Sequence, residues 1–244
     1  MDEYFGFVTV RVKSTRLPFK CLLKLSDKTV LENIFNRCLD NKITPILCTT
    51  QLSEDDVLEQ LAINNNIKFF RGSNNNKLKR WLDCANFFEI ERFHTIDADD
   101  PYFDPLLVKE SMNKLKKSDL DIVRPSTYSS NGAGSVGYSI KRALIEDIMS
   151  SLKDNTDTEM IEKFIDFNRF KSEIMQEDIE LNYQIRLTLD YEEDYHLLSF
   201  ISRELGSNPS RKSIINLFKA NPDLYKLNFF RNSDWKIKQK NQLK

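Results

Sequence analysis

Four cations, Arg11, Lys13, Arg16 and Lys20, crowd a short stretch in which Ser14, Thr15 and Pro18 are the turn-forming or small residues. Charged side chains and backbone N–H groups in such a loop can converge on the oxygens of a nucleoside triphosphate. Residues 8–20 contain no glycine, so neither of the familiar glycine-rich phosphate loops applies. Read by itself the stretch is equally a solvated basic turn. A second cluster, DADDPYFDP, sets Asp97, Asp99, Asp100 and Asp104 close together. Carboxylates gathered this way suit Mg²⁺, which takes one or two of them and completes its shell with water and phosphate oxygens. The plain alternative is a hydrated loop whose Asp104 caps the helix opening at Pro105. A third acid, Asp190, follows an alternating apolar run directly.

The elements that must position these groups follow from hydrophobic periodicity. Residues 4–12 (YFGFVTVRV) are apolar on both faces, as in a central strand covered on both sides, and they deliver the basic loop. Residues 29–39 carry apolar positions at helical spacing. Further strands are expected at 45–48, 67–70, 93–96, 121–124, 135–140 and 183–189. Helices are expected at 53–64 with Ser53 as N-cap, at 77–88, from Pro105, at 141–152, at 159–167, after Asp190 and at 210–220. Residues 127–133 read as a flexible polar loop, 170–182 as extended chain that projects from the domain, and the tail 234–244 as polar and frayed. Alternating short strands and helices give an α/β class: a three-layer α/β/α, Rossmann-like fold with a mostly parallel central sheet. In such sheets ligands bind outside the C-terminal strand ends, where the basic loop, the acidic cluster and Asp190 all fall.

Composition narrows the partners. With 244 residues and neither repeats nor low-complexity linkers, one domain over residues 1–244 is expected. The 36 basic and 37 acidic residues nearly cancel, so nothing global points to nucleic acid or an anionic membrane. No apolar run approaches the ~20 residues of a membrane span, and the acidic start MDEYFGF is unlike an export signal, so a cytoplasmic protein is expected. Cys21, Cys38, Cys48 and Cys84 form no CxxC pair, and His94 and His196 are the two histidines; buried reduced thiols are expected instead of zinc or disulfides.

Three ordered segments resemble motifs of the bacterial sugar cytidylyltransferases, most closely the spore coat polysaccharide branch related to the CMP-sialate and CMP-Kdo synthetases. The first, A-R-x-x-S-x-R-L-P-x-K-x-L, is similar to the run from Val10 through Arg11, Ser14, Arg16, Leu17, Pro18 and Lys20 to Leu22. The second, G-D-x-P-x-x-D-P, is matched by Ala98, Asp99, Asp100, Pro101, Tyr102, Phe103, Asp104 and Pro105. The third, R-L-T-x-D-x-x-E-D, is matched from Arg186, Leu187 and Thr188 through Asp190 to Glu193 and Asp194. The resemblance implies a fold of the nucleotide-diphosphosugar transferase type and a Mg²⁺-dependent transfer of CMP from CTP to an acidic sugar or related acceptor. It implies that Arg11, Ser14, Arg16 and Lys20 hold the triphosphate, that Thr49, Ser73 and Arg80 contact the nucleoside, and that Asp99 and Asp190 ligate Mg²⁺. Arg16, Lys20 and Asp99 would then be catalytic. It also implies a homodimer, with residues 170–182 the expected contact. Departures from the family pattern stand at Lys13, Phe19, Asn76, Lys77, Val136 and Gly137. Two other classes fit the same strand-end acids: a nucleotide-sugar-dependent glycosyltransferase and a non-catalytic nucleotide binder.

Overall fold

The computed structural model describes residues 3–243 except Thr15, Ser135 and Ile179, with side chains described as far as Ile237. Thr15 of the basic loop, the first residue of the strand expected at 135–140, one residue of the stretch 170–182 and the end of the tail therefore lie outside the described residues. The chain opens with strand β1 (Tyr4–Thr9), a two-stranded hairpin of β2 (Lys24–Leu25) and β3 (Lys28–Thr29), and helix α1 (Val30–Asp40). The start of α1 is closed by a capping box in which Thr29 and Glu32 satisfy each other's backbone N–H groups. Strand β4 (Ile43–Thr50), helix α2 (Asp56–Asn64), strand β5 (Lys68–Gly72), helix α3 (Lys77–Phe87) and strand β6 (Arg92–Asp97) complete the first half. Then come α4 (Pro105–Lys117), β7 (Ile122–Arg124), α5 (Thr127–Ser130), β8 (Ser139–Lys141), α6 (Arg142–Met149) and β9 (Ser172–Ile174). The helices α7 (Glu192–Leu205), α8 (Arg211–Ala220) and α9 (Arg231–Leu243) finish the chain.

Seven strands form one sheet in the order β5-β4-β1-β6-β8-β7-β9, parallel except where β8 runs against β6 and β7. Successive residues of the central strands feed opposite cores, which is why those strands read as apolar on both faces. Val8, Leu47 and Ile96 join α1, α2, α7 and α8 on one side. Phe7, Ile46, Cys48 and Phe93 join α3 and α6 on the other. The three-layer α/β/α arrangement thus stands as expected, and all four cysteines are buried free thiols.

Several elements differ from expectation. The stretch 183–189 is extended but joins no ladder: the Leu187 and Thr188 N–H groups donate to Gly132 O, and Leu189 N–H to Asp99 O. Its alternation does not separate a wet from a dry face, because Arg186 and Thr188 are buried with their apolar neighbours. Helix α2 starts later than Ser53, after a 3₁₀ turn at Ser53–Asp55, and Asp55 at its N-cap position turns its carboxylate to Val12 N instead of to the helix. In the stretch 127–133, Thr127–Ser130 is a helical turn capped by Ser126, and in 159–167 only Ile161–Lys163 is helical, as a 3₁₀ turn. Strand β8 is shorter than expected, and Gly137 lies ahead of it packed so closely that a Cβ there would lie 2.0 Å from Thr95 O. Ser172–Ile174 pairs in parallel with β7 at the sheet edge. The tail is helical from Arg231.

His94, on β6, is buried with Nδ1 2.8 Å from Ser139 Oγ, and burial pushes its pKa down to about 3. The fold thus holds a neutral imidazole that the unfolded chain protonates below about 6.5. This contribution is complete above that pH and is lost progressively as pH falls toward 3, by up to about 1.4 kcal/mol per unit. Urea unfolding at pH 7 and pH 5, compared between the wild type and His94→Asn, should show the wild type losing more stability on acidification.

Candidate active site

The C-terminal ends of β1 and β6 and the first turns of α3 meet the chain around Asp190 at a cavity of about 520 Å³. On one side of its floor, Lys20 Nζ lies 2.7 Å from Asp99 Oδ2 and 2.8 Å from Asp190 Oδ1. Arg16 Nη2 reaches the same Asp190 oxygen at 2.5 Å. Residues 79 and 170 positions downstream of Lys20 are thereby joined through one ammonium. Burial would lower the Lys20 pKa, but Asp99 and then Asp190 outweigh it, so the amine is held charged above its ordinary range. Burial likewise opposes charge on Asp190, yet Lys20 and Arg16 overcome it and hold the carboxyl low. At Asp99 burial wins: its pKa is raised, with Asp190 and Asp97 adding repulsion that Lys20 only partly offsets.

The loop bearing these cations is fixed by a residue that sequence reasoning missed. Asp55 is fully buried; its Oδ1 accepts from Val12 N at 2.8 Å, and its Oδ2 accepts from the Thr50 hydroxyl. A carboxylate after β4 therefore sets the backbone of the loop after β1. Asp55→Ala should cost about 1–3 kcal/mol, the usual consequence of leaving buried partners unmade. It should also raise the KM for nucleotide roughly ten-fold, whereas Asp55→Asn, which can still accept from Val12, should recover most of both. Initial rates across a nucleotide series, alongside melting temperatures, check this.

Around the third motif, Arg186 is buried and donates through Nε and Nη2 to Asp194 at 2.8 and 2.9 Å, while Nη2 stands 3.6 Å from Asp190. Asp194 Oδ2 in turn accepts from the backbone N–H groups of Asp190 and Tyr191. The motif thus consists of one carboxylate presented to the cavity, Asp190, and an Arg186–Asp194 pair that holds it there.

The acidic cluster divides by task. Asp99 meets Lys20, Asp97 Oδ1 meets Lys77 Nζ at 3.1 Å, and Asp104 caps α4 by accepting from Leu106 N. Arg11, Ser14 and Arg80 line the cavity with Arg16 and Lys20. Arg80 is buried, donates to Ser73 O at 2.7 Å, and its Nε has no partner among the described residues. Thr49 and Ser73 are not among the described lining residues; Thr49 is buried in β4, and the Ser73 hydroxyl accepts from Asn76 N. Lining residues absent from the expected set include Lys77, Trp81, Glu159 and Trp235. Lys77 had a legible signal, a cation at the first residue of a helix, where the macrodipole disfavours positive charge. Its ammonium is held by Asp97 and by the face of Trp81, 5.1 Å from the ring centroid. Glu159 is kept ionised below its ordinary range first by Lys77 and then, against burial, by Arg11 and Arg80.

Two carboxylates that already share one cation suit a divalent ion with an incomplete protein shell, and no cluster of three or more acidic, histidine or cysteine ligands occurs among the described residues. A triphosphate would have to supply the rest of that shell, and the cations that could hold it line the same cavity.

A mostly parallel α/β sheet that gathers cations and carboxylates beyond the C-terminal ends of β1 and β6 has the architecture of a protein that binds a phosphorylated ligand at that edge. The cytidylyltransferase family profile matches residues 6–226, and the chain belongs to that family. It is 24% identical over 237 residues to the spore coat polysaccharide biosynthesis protein SpsF of Bacillus subtilis, covering 91% of this chain and 97% of that protein. A cytidylyltransferase structure from Leptospira borgpetersenii superposes with a TM-score of 0.76 at 24% identity, covering 92% of this chain and 97% of that one. The CMP-2-keto-3-deoxy-manno-octonic acid synthetase, solved with CTP, gives 0.63 at 12% identity over 84% and 100% of the two chains. Rv0371c of Mycobacterium tuberculosis, solved with manganese, gives 0.57 at 17% identity over 82% and 99%. No helix among the described residues is long and apolar enough to cross a membrane.

Proposed function

We propose that the protein transfers CMP from CTP to an acidic sugar or a related acceptor and releases pyrophosphate. The observation that carries this reading is the junction at which Lys20 bonds both Asp99 and Asp190 while Arg16 bonds Asp190. Membership of the cytidylyltransferase family and the CTP complex of a structural relative support the nucleotide; the polysaccharide role of SpsF supports a sugar acceptor. Triphosphate would lie along Arg11, Ser14, Arg16 and Lys20, with Arg80 on the nucleoside side. An oxygen of the acceptor would attack the α-phosphorus of CTP, forming a new P–O bond as the bond to pyrophosphate breaks. Arg16 and Lys20 would stabilise the charge gathering on the departing pyrophosphate. Asp99 and Asp190 would hold Mg²⁺, which when bound neutralises phosphate charge and polarises the phosphoryl group; the manganese complex of a relative supports a divalent ion. A homodimer is part of the same reading.

Pyrophosphate release measured with CTP, UTP, ATP and dTTP, Mg²⁺ and a panel of 3-deoxy sugar acids and sugar phosphates tests it. CTP should be preferred, and Asp99→Ala should lose about 10²- to 10³-fold in turnover, the scale of one lost charge-stabilising group. Near wild-type release from Asp99→Ala would sink the metal assignment. Nucleoside diphosphate released from a nucleotide sugar, with no pyrophosphate from CTP, would replace the function with glycosyl transfer.

A further inference from the structure

The matched family region ends at residue 226, and helix α9 lies beyond it. Its first turn is nevertheless tied into the site. Asn232 is buried; its Oδ1 accepts from Arg186 Nη1 at 2.9 Å, and its Nδ2 donates to Asn131 O at 3.3 Å. Arg231 holds both oxygens of Glu193 at 2.7 and 3.0 Å. These bonds fix the helix against Arg186, the residue that supports Asp190, and against the 129–132 wall. Three residues on, Trp235 is half-buried and lines the cavity, with the Arg186 guanidinium carbon 5.9 Å from its ring centroid.

The same cavity is lined by Ser129, Ser130, Gly132, Thr188 and Asp190, and the 131–132 turn lies directly beside Asn232 at the start of the helix. Gly132 has φ +91° and so supports the turn with no side chain; Asn232 Oδ1 and Arg186 Nη1 would each stand 3.4 Å from a Cβ there. One aromatic surface among hydroxyls and a carboxylate fits a ligand with an apolar C–H face and many hydroxyl groups, which is a sugar ring. The other tryptophan cannot serve in this way: Trp81 is buried, donates to the Thr9 hydroxyl at 2.8 Å and carries the Lys77 ammonium over its ring.

We infer that Trp235, presented by a helix outside the shared family region, is the specificity wall against which the acceptor sugar ring packs. The inference rests on the proposed transfer to a sugar and adds a residue that binds the acceptor and leaves CTP untouched. Calorimetry of CTP with Mg²⁺ is the first arm, and wild type, Trp235→Ala and Trp235→Phe should bind within about three-fold of one another. The second arm is pyrophosphate release and tryptophan fluorescence across 3-deoxy sugar acids, amino sugars and sugar phosphates. An accepted sugar should change wild-type fluorescence, and that change should vanish in Trp235→Phe. Trp235→Ala should raise the KM for the sugar roughly ten-fold, the scale of one aromatic contact, with kcat within about three-fold and Trp235→Phe recovering most of the loss. An unchanged sugar KM, a loss confined to CTP binding, or no sugar accepted although CTP binds would overturn the inference. Failure of the wild type to bind CTP would overturn the proposed function and this inference with it, and the first arm alone reveals that outcome.

Discussion

Lys20→Met is expected to cut pyrophosphate release from CTP about 10²- to 10³-fold with the fold intact. Methionine keeps the unbranched chain as far as Cε and removes the ammonium, with the charge and N–H donors that Asp99 and Asp190 share. The proposed role makes the charge matter most as pyrophosphate departs, so the loss should fall on kcat more than on the KM for CTP. Survival of the fold follows from the geometry: Asp190 retains Arg16 at 2.5 Å and Arg186 at 3.6 Å after the ammonium is gone. Steady-state rates over a CTP series, with circular dichroism to confirm folding, make the measurement. A turnover within three-fold of wild type would remove Lys20 from the catalytic set.

The largest stability effect is expected at Arg186. Arg186→Met should destabilise the protein by about 3–5 kcal/mol, because the substitution breaks a buried pair and leaves a carboxylate without its cation. Asp194 would keep the backbone N–H groups of Asp190 and Tyr191 and the Asn228 amide, at 2.9 Å from Oδ1, but no charge to balance its own. Adding Asp194→Asn to Arg186→Met should therefore recover part of the loss, and urea unfolding of the two single variants and the double would show strong non-additivity. A fully additive pair would mean that the two side chains contribute independently. Loss of Arg186 should also depress turnover, since the pair positions Asp190 at the cavity.

The strand-helix alternation made the sheet legible from residues such as Phe7, Val8, Ile46 and Leu47, whose successive apolar side chains demand two cores. The basic loop and Asp99 were legible because each follows a strand, and Asp190 because it stands between an alternating run and a helix. Their convergence was not, because a bond between Lys20 and Asp190 depends on crossover connections that no local window contains. The stretch 183–189 misled for a related reason: alternation reports polarity, and Arg186 is polar yet buried because a partner eight residues on neutralises it. Asp55 and Trp235 were hidden as an ordinary helix-start acid and a polar tail. Only three-dimensional neighbours, Val12 for one and the cavity for the other, give them roles.

The placement of Lys20 between Asp99 and Asp190 also bears on the order in which ligands can arrive. Before nucleotide enters, the protein carries its own counter-ion, and the two carboxylates proposed for the metal are already answered by an ammonium that burial and pairing keep protonated. A free divalent ion must compete with that ammonium, whereas an ion delivered on a triphosphate brings phosphate oxygens that offer Lys20 another seat. On this reading metal and nucleotide would enter as one complex, and the ammonium that answers the two carboxylates would then serve the phosphates.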